Sequence, residues 1–143
     1  MTTQMTPYGF GITVPLQYGE AIQRIRDALA TQGFGILTEI DVAATLKKKL
    51  DIDFRPYVIL GACNPSLAYQ ALTAERDIGL LLPCNVIVYG GDEPGTSVVA
   101  VLDPVAALAL TGRSDIRDLA SEVRRRLELA LAVVGQTPAE SAS

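Results

Sequence analysis

The chain has 143 residues, 49% of them apolar, with 16 acidic against 12 basic side chains and a formal net charge of −4. That length suits a single domain with a sizeable core, and the acidic balance provides no electrostatic footprint for nucleic acid. Histidine is absent, which excludes Ser-His-Asp and Cys-His catalysis, histidine-ligated zinc and the commonest general base near neutral pH. The apolar content is rich for a chain without a membrane span, so a second copy of the chain is expected to cover part of the surface as a homodimer.

Residues 1–7 are polar and lack the basic-then-apolar pattern of a secretory leader; they read as a flexible N-terminus. The longest apolar run, Ile78 to Val88, is broken by Gly79, Pro83 and Asn85 and falls well short of the ~20 residues that span a bilayer. The expected location is therefore cytoplasmic, where the two cysteines are reduced thiols rather than a structural disulfide.

Tyr8 to Val14 alternates as a strand, and Pro15 turns the chain. Tyr18, Ile22, Ile25 and Leu29 then fall on one helical face between Gln17 and Thr31, with Gly33 placed to end the helix. Phe34 to Ile40 reads as a second strand. Asp41 is an N-cap for a short helix built on Val42, Leu46 and Leu50, whose last turn carries Lys47, Lys48 and Lys49 as a solvated end. A third strand, Tyr57 to Ala62, has an unbroken apolar centre, the pattern of a strand covered on both faces. Asn64 caps a helix that begins at Pro65 and runs to about Arg76, with Leu67, Ala68, Ala71 and Leu72 inward. Cys84 to Tyr89 and Thr96 to Leu102 flank the turn cluster from Gly90 to Gly95 and read as a hairpin. After Asp103-Pro104, a short helical stretch from Val105 to Leu110 leads to the longest helix, about Asp115 to Val134, which Ser114 caps. Its apolar stripe is Ile116, Leu119, Val123, Leu127, Leu131 and Val134, and its arginine run, Arg124 to Arg126, reads as a solvated face. Residues 135–143 read as a disordered tail. Uneven connections and a tight hairpin point to a single α+β domain over residues 8–134, with a mainly antiparallel sheet of about five strands and helices on one face.

Chemistry is concentrated in a signature that occurs twice, Cys63-Asn64 and Cys84-Asn85, containing the only cysteines of the chain. If the strands beside them are antiparallel neighbours, the end of one lies next to the start of the other and the thiols meet. Cys63 precedes a capped helix, whose dipole favours a thiolate; Cys84 is then its resolving partner, and Asn64 and Asn85 are candidate amide contacts for a ligand. The competing reading makes both cysteines small buried hydrophobes. A second candidate cluster is polar: Glu39, Asp41, Asp53, Arg55 and Tyr57, with Arg55 a partner for Glu39. No resident metal or cofactor is expected, because two thiols without histidine do not complete a structural zinc set. No dinucleotide-binding, phosphate-loop or nucleophile-elbow motif occurs.

The segments Leu37-Thr38-Glu39-Ile40-Asp41, Asp53-Phe54-Arg55-Pro56-Tyr57, Leu60-Gly61-Ala62-Cys63-Asn64-Pro65 and Leu80-Leu81-Leu82-Pro83-Cys84-Asn85-Val86 resemble those of the family known as domain of unknown function 302, and the likeness extends over about Tyr8 to Val134. The resemblance implies a small α+β domain, commonly homodimeric, and supplies no reaction. Three functions remain open: a cytosolic homodimer that binds a small ligand or a partner without catalysis; a thiol redox or soft-metal protein using Cys63 and Cys84; and a hydrolase or isomerase using Glu39, Asp41 and Arg55.

Overall fold

The structure, a computed structural model, describes residues 2–141 and the side chains as far as Gln136. In chain order its elements are β1 (Thr3–Thr6), β2 (Gly9–Val14), α1 (Tyr18–Thr31), β3 (Gly35–Asp41), α2 (Val42–Leu50), β4 (Tyr57–Cys63), α3 (Pro65–Ala74), a 3₁₀ segment (Arg76–Leu81), β5 (Cys84–Gly90), β6 (Ser97–Leu102), α4 (Pro104–Leu108) and α5 (Ser114–Ser141). The six strands form one sheet in the order β1-β2-β6-β5-β4-β3, with every neighbouring pair antiparallel. The sheet thus has one strand more than the five anticipated. The extra one is β1, which lies within the stretch expected to be a flexible N-terminus and pairs with β2 as an edge strand. At the other end, α5 continues to Ser141 through most of the expected tail; residues 142 and 143 lie outside the described residues.

Local chemistry explains where the helices start and stop. The backbone N–H groups of Gly33 and Phe34 donate to the carbonyls of Ala30 and Leu29. Gly33 takes φ of 83°, a left-handed conformation that closes a helix and that glycine adopts without strain. Asp41 accepts from the Ala44 N–H at 2.9 Å and so caps α2. Asn64 accepts from the Leu67 N–H at 3.2 Å to cap α3, and Pro65 follows at the first helical position, where a missing N–H costs nothing. Asp103 caps α4 through the N–H groups of Val105 and Ala106.

Packing on the sheet is one-sided for the main core. Phe10, Ile12 and Val14 of β2, Val99 and Val101 of β6, Val86 and Val88 of β5, and Val58 and Leu60 of β4 meet Ala21, Ile25, Ala28 and Leu29 of α1 and Val123, Leu127, Leu131 and Val134 of α5. Each of these larger side chains contributes about 1.5–3 kcal/mol by leaving water. A second, smaller cluster joins Ala71 of α3, Ile78 of the 3₁₀ segment, Leu108 of α4 and Ile116 and Ala120 of α5, and Leu119 packs against both clusters. The opposite sheet face carries Tyr57 and Ile59 of β4 across from Tyr89 and Ile87 of β5, all half-buried and members of neither cluster.

Candidate functional site

The register between β4 and β5 sets Ala62 directly opposite Cys84, so Cys63, one residue further along β4, lies beside the start of β5. Both cysteines are free; Cys84 is buried and Cys63 is half-buried. They line a common cavity of about 250 Å³. Phe34 and Leu37 bound it on the β3 side, Leu67, Ala68, Ala71 and Leu72 of α3 form one wall, Gly79, Leu82 and Pro83 another, and Leu108, Leu119 and Val123 close it from α4 and α5. This is the seam between the two core clusters: Ala62, Leu67, Cys84 and Val123 belong to the larger, Ala71 and Leu108 to the smaller. The hollow is what remains where the two do not close on each other. No Asp, Glu, Lys or Arg lines it.

Desolvation dominates the electrostatics of this cavity. Burial, with a smaller contribution from the neighbouring Cys63, pushes the Cys84 thiol up to about 11. Burial also raises the Cys63 thiol. The thiolate anticipated at Cys63 from the α3 dipole therefore gives way to the cost of charging a sulfur in an apolar setting. Both positions present neutral S–H groups at neutral pH.

The two asparagines of the repeated signature separate. Asn64 lines the cavity, but its amide is engaged: Oδ1 caps α3, and Nδ2 donates at 3.4 Å to the carbonyl of Gln32 at the end of α1. Asn85 is exposed, opposite Gly61, and lies in a different groove of about 370 Å³ on the other sheet face, together with Met5, Tyr8, Tyr57, Ile87 and Tyr89. Adjacent strand residues point to opposite faces, so Cys84 and Asn85 do not serve one site.

The polar candidates are likewise dispersed among local partners. Glu39 pairs with Arg26 of α1, not with Arg55. Arg55 donates to the Gly90 carbonyl at 3.1 Å and pairs with Asp92 at 3.3 Å. Asp41 is occupied as the α2 cap. Asp53 lies 3.4 Å from Lys47, which also pairs with Asp51. Tyr57 stacks on Tyr89 across β4 and β5, with ring centroids 5.3 Å apart. The residues expected to share a polar pocket are each engaged by a different element: Glu39 by α1, Asp41 by the start of α2, Asp53 by Lys47 of α2 and Arg55 by the turn after β5. Among the described residues, no group of three or more His, Cys, Asp or Glu side chains is placed to hold a metal ion.

The arginine run of α5 is less uniform than a solvated face. Arg125 and Arg126 pair with Glu122, and Arg124 pairs with Glu128, at helical spacing. Arg124 also reaches Asp103, the cap of α4, and lies over the Phe10 ring at 4.4 Å from its centroid. The ion pair and ring contact tie α4, α5 and β2 together.

Sequence reasoning missed Leu37, Leu108, Leu119 and Val123 as cavity residues. Leu37 stands where the β3–β4 register shifts between Ile36 and Thr38, and it is 65% exposed at the cavity despite being leucine. Such an irregularity re-aims a side chain without a reliable sequence mark. The other three carry an ordinary helix stripe that reads as core.

The observed class is a single α+β domain with a fully antiparallel sheet, its two longest helices on one face and an apolar cavity beside two neutral thiols. Within that class the chain belongs to the family described as Domain of unknown function DUF302, whose model matches residues 10–134. It is similar to the crystal structure of the uncharacterized conserved protein DUF302 from Bacillus stearothermophilus, with a TM-score of 0.81 and 29% identity, covering 89% of this chain and 98% of that one. No curated protein matches the chain. No helix among the described residues is long and apolar enough to cross a membrane.

Proposed function

We propose that this domain acts as a cytoplasmic homodimer that binds a small molecule, without transforming it, in the cavity at the Cys63 and Cys84 end of the sheet. One observation carries the reading: a hollow of about 250 Å³ persists at the seam of two otherwise well-buried clusters, with no charged side chain lining it. It opens to solvent past Leu37 and Leu72, and ligand sites are concave and largely apolar. The alternatives have less support. A thiol redox or soft-metal role draws on thiolates, which burial disfavours here. A hydrolase or isomerase needs Glu39, Asp41 and Arg55 together, and each is engaged elsewhere.

Support for the homodimer comes from the sheet face outside both clusters. It presents Ile40 at 48% exposure opposite Ile59, followed by Ile87 and the stacked Tyr57 and Tyr89. A second copy placed there would bury this face, as isologous contacts do. A saturation-transfer NMR screen of chemically mixed small molecules tests the binding function, run in parallel on the wild type and on Ala68→Phe, which fills the cavity. Hits lost in the variant support the reading; an absence of hits sensitive to it rejects the reading. Sedimentation tests the assembly. Wild type is expected as a dimer at micromolar concentration and Ile40→Glu as a monomer, and a monomeric wild type removes the dimer.

A further inference from the structure

We propose that the ligand of this cavity is an uncharged, compact, fused-ring aromatic molecule of roughly ten heavy atoms, seated between the α3 wall and the two cysteines; this rests on the cavity being the ligand site. Size is the first argument. A cavity of ~150 Å³ lined by Leu, Ile and Phe stays dry and binds benzene, a six-atom ring. The hollow here, at about 250 Å³, is larger by a factor of about 1.7, and scaling six atoms by that ratio gives roughly ten, the size of a two-ring system.

Charge is the second argument. The lining offers no Asp, Glu, Lys or Arg to pair with an ionic group. Its one amide side chain, Asn64, already donates to Gln32 and accepts from Leu67. An ionised ligand buried there would lose its hydration without compensation. Cys63 and Cys84 also line the space, their soft, polarisable sulfurs held protonated by burial. Sulfur makes favourable contacts with aromatic rings, as do ring edges such as that of Phe34, which is 5% exposed and lines the same space. A fully saturated ligand gains only the area term. The rim is apolar as well: Leu37 at 65% and Leu72 at 43% exposure stand at the edge of the cavity, so a ring entering from solvent meets hydrocarbon before it meets the thiols.

The test is a matched set of probes on the full chain: 1-naphthol, decalin and 1-naphthoate, measured by isothermal titration calorimetry and by protection of Cys63 from a neutral maleimide above neutral pH. 1-Naphthol is expected to bind, to slow Cys63 labelling, and to bind at least tenfold more tightly than 1-naphthoate and measurably more tightly than decalin. Binding is expected to be lost in Ala68→Phe and in Leu72→Trp, the second variant being at the rim so that folding is preserved. If 1-naphthoate binds as well as 1-naphthol, or decalin binds better, the ligand class is wrong while the binding site stands. If 1-naphthol binds and neither variant weakens it nor Cys63 is protected, the cavity is not the site and both readings fall. If the filling variants instead alter sedimentation and leave 1-naphthol binding intact, the hollow is an intersubunit seat and the proposal is overturned.

Discussion

Asn64 joins three elements through one amide, and its replacement gives a quantitative test of how the Cys63 end of the sheet is held. In Asn64→Ala the α3 cap at 3.2 Å is lost, which costs about 1 kcal/mol. The Nδ2 bond to Gln32 is also lost; at 3.4 Å it is long, and it contributes about 0.5 kcal/mol. The Gln32 carbonyl retains a donor, because Arg126 Nη1 also reaches it at 3.4 Å, so no orphaned acceptor adds to the loss. The expected destabilisation is therefore about 1.5 kcal/mol by these two contributions. Asn64→Ser restores only the cap and should recover about 1 kcal/mol of it, whereas Asn85→Ala, exposed in the protomer and measured on the Ile40→Glu background so that no second copy covers it, should stay within about 0.5 kcal/mol of its parent. Equilibrium urea unfolding followed by circular dichroism reads all three, at one fixed protomer concentration because self-association would otherwise shift the midpoint. If Asn64→Ser is no better than Asn64→Ala, capping is not what Asn64 supplies; if Asn85→Ala is as damaging as Asn64→Ala, the division between the two copies of the signature is wrong.

Two glycines should respond to alanine with opposite signs. A Cβ on Gly11 would stand 2.3 Å from the Val99 carbonyl oxygen, a backbone atom that cannot move aside, so Gly11→Ala should lower stability by about 1–3 kcal/mol in the same urea assay; a Cβ on Gly19 of α1 meets nothing within 4 Å, and Gly19→Ala should raise it by about 0.5 kcal/mol. The Cys84 thiol predicts an alkaline limb. Its folded value, raised from 9.0 to about 11, gives stability that is complete below 9.0 and is lost as pH rises through about 11, a change on the order of 2–3 kcal/mol. Thermal melts across that range should show a decline that Cys84→Ala flattens, and an identical slope in the variant would remove Cys84 as its cause.

How much of this was legible in advance depends on how local each signal is. Helix ends were readable because caps are local: Asp41, Asn64-Pro65 and Gly33 each act within a few residues of where they sit. The antiparallel pairing of β4 with β5, which sets Ala62 opposite Cys84, was also within reach, since a short helical connection joins the two strands. The opposite orientation of Cys84 and Asn85 follows from the period of a strand and could have been drawn from the same pairing. The pairs of Glu122 with Arg126 and of Arg124 with Glu128 follow from helical spacing in α5, but the ion pairs between elements were not accessible. Glu39 meets Arg26 and Arg124 meets Asp103 across separations that no spacing rule records. Nor was β1, whose Thr-Gln-Met-Thr sequence is held by pairing with β2 rather than by burial of an apolar face. The cavity itself depends on α3, α4 and α5 failing to close over Cys84, a property of three-dimensional fit that an apolar stripe does not encode.

The strand order has a consequence for how the chain can be made. β3 through β6 form a run of neighbours along the sheet, but β2 is flanked only by β1 and β6, and α1 shares its core with α5. During synthesis the first strands and helix leave the ribosome long before the segments that complete them, so one edge of β2 stays open until Ser97–Leu102 has emerged. Long-range closure of this kind folds slowly, and an open strand edge is a template for the wrong partner. Cutting the gene anywhere between α1 and β6 therefore separates β2 from its inner neighbour and α1 from the helix it packs on. The cavity end, though built mostly from α3 and the elements C-terminal to it, cannot be excised from the beginning of the chain as a folded fragment.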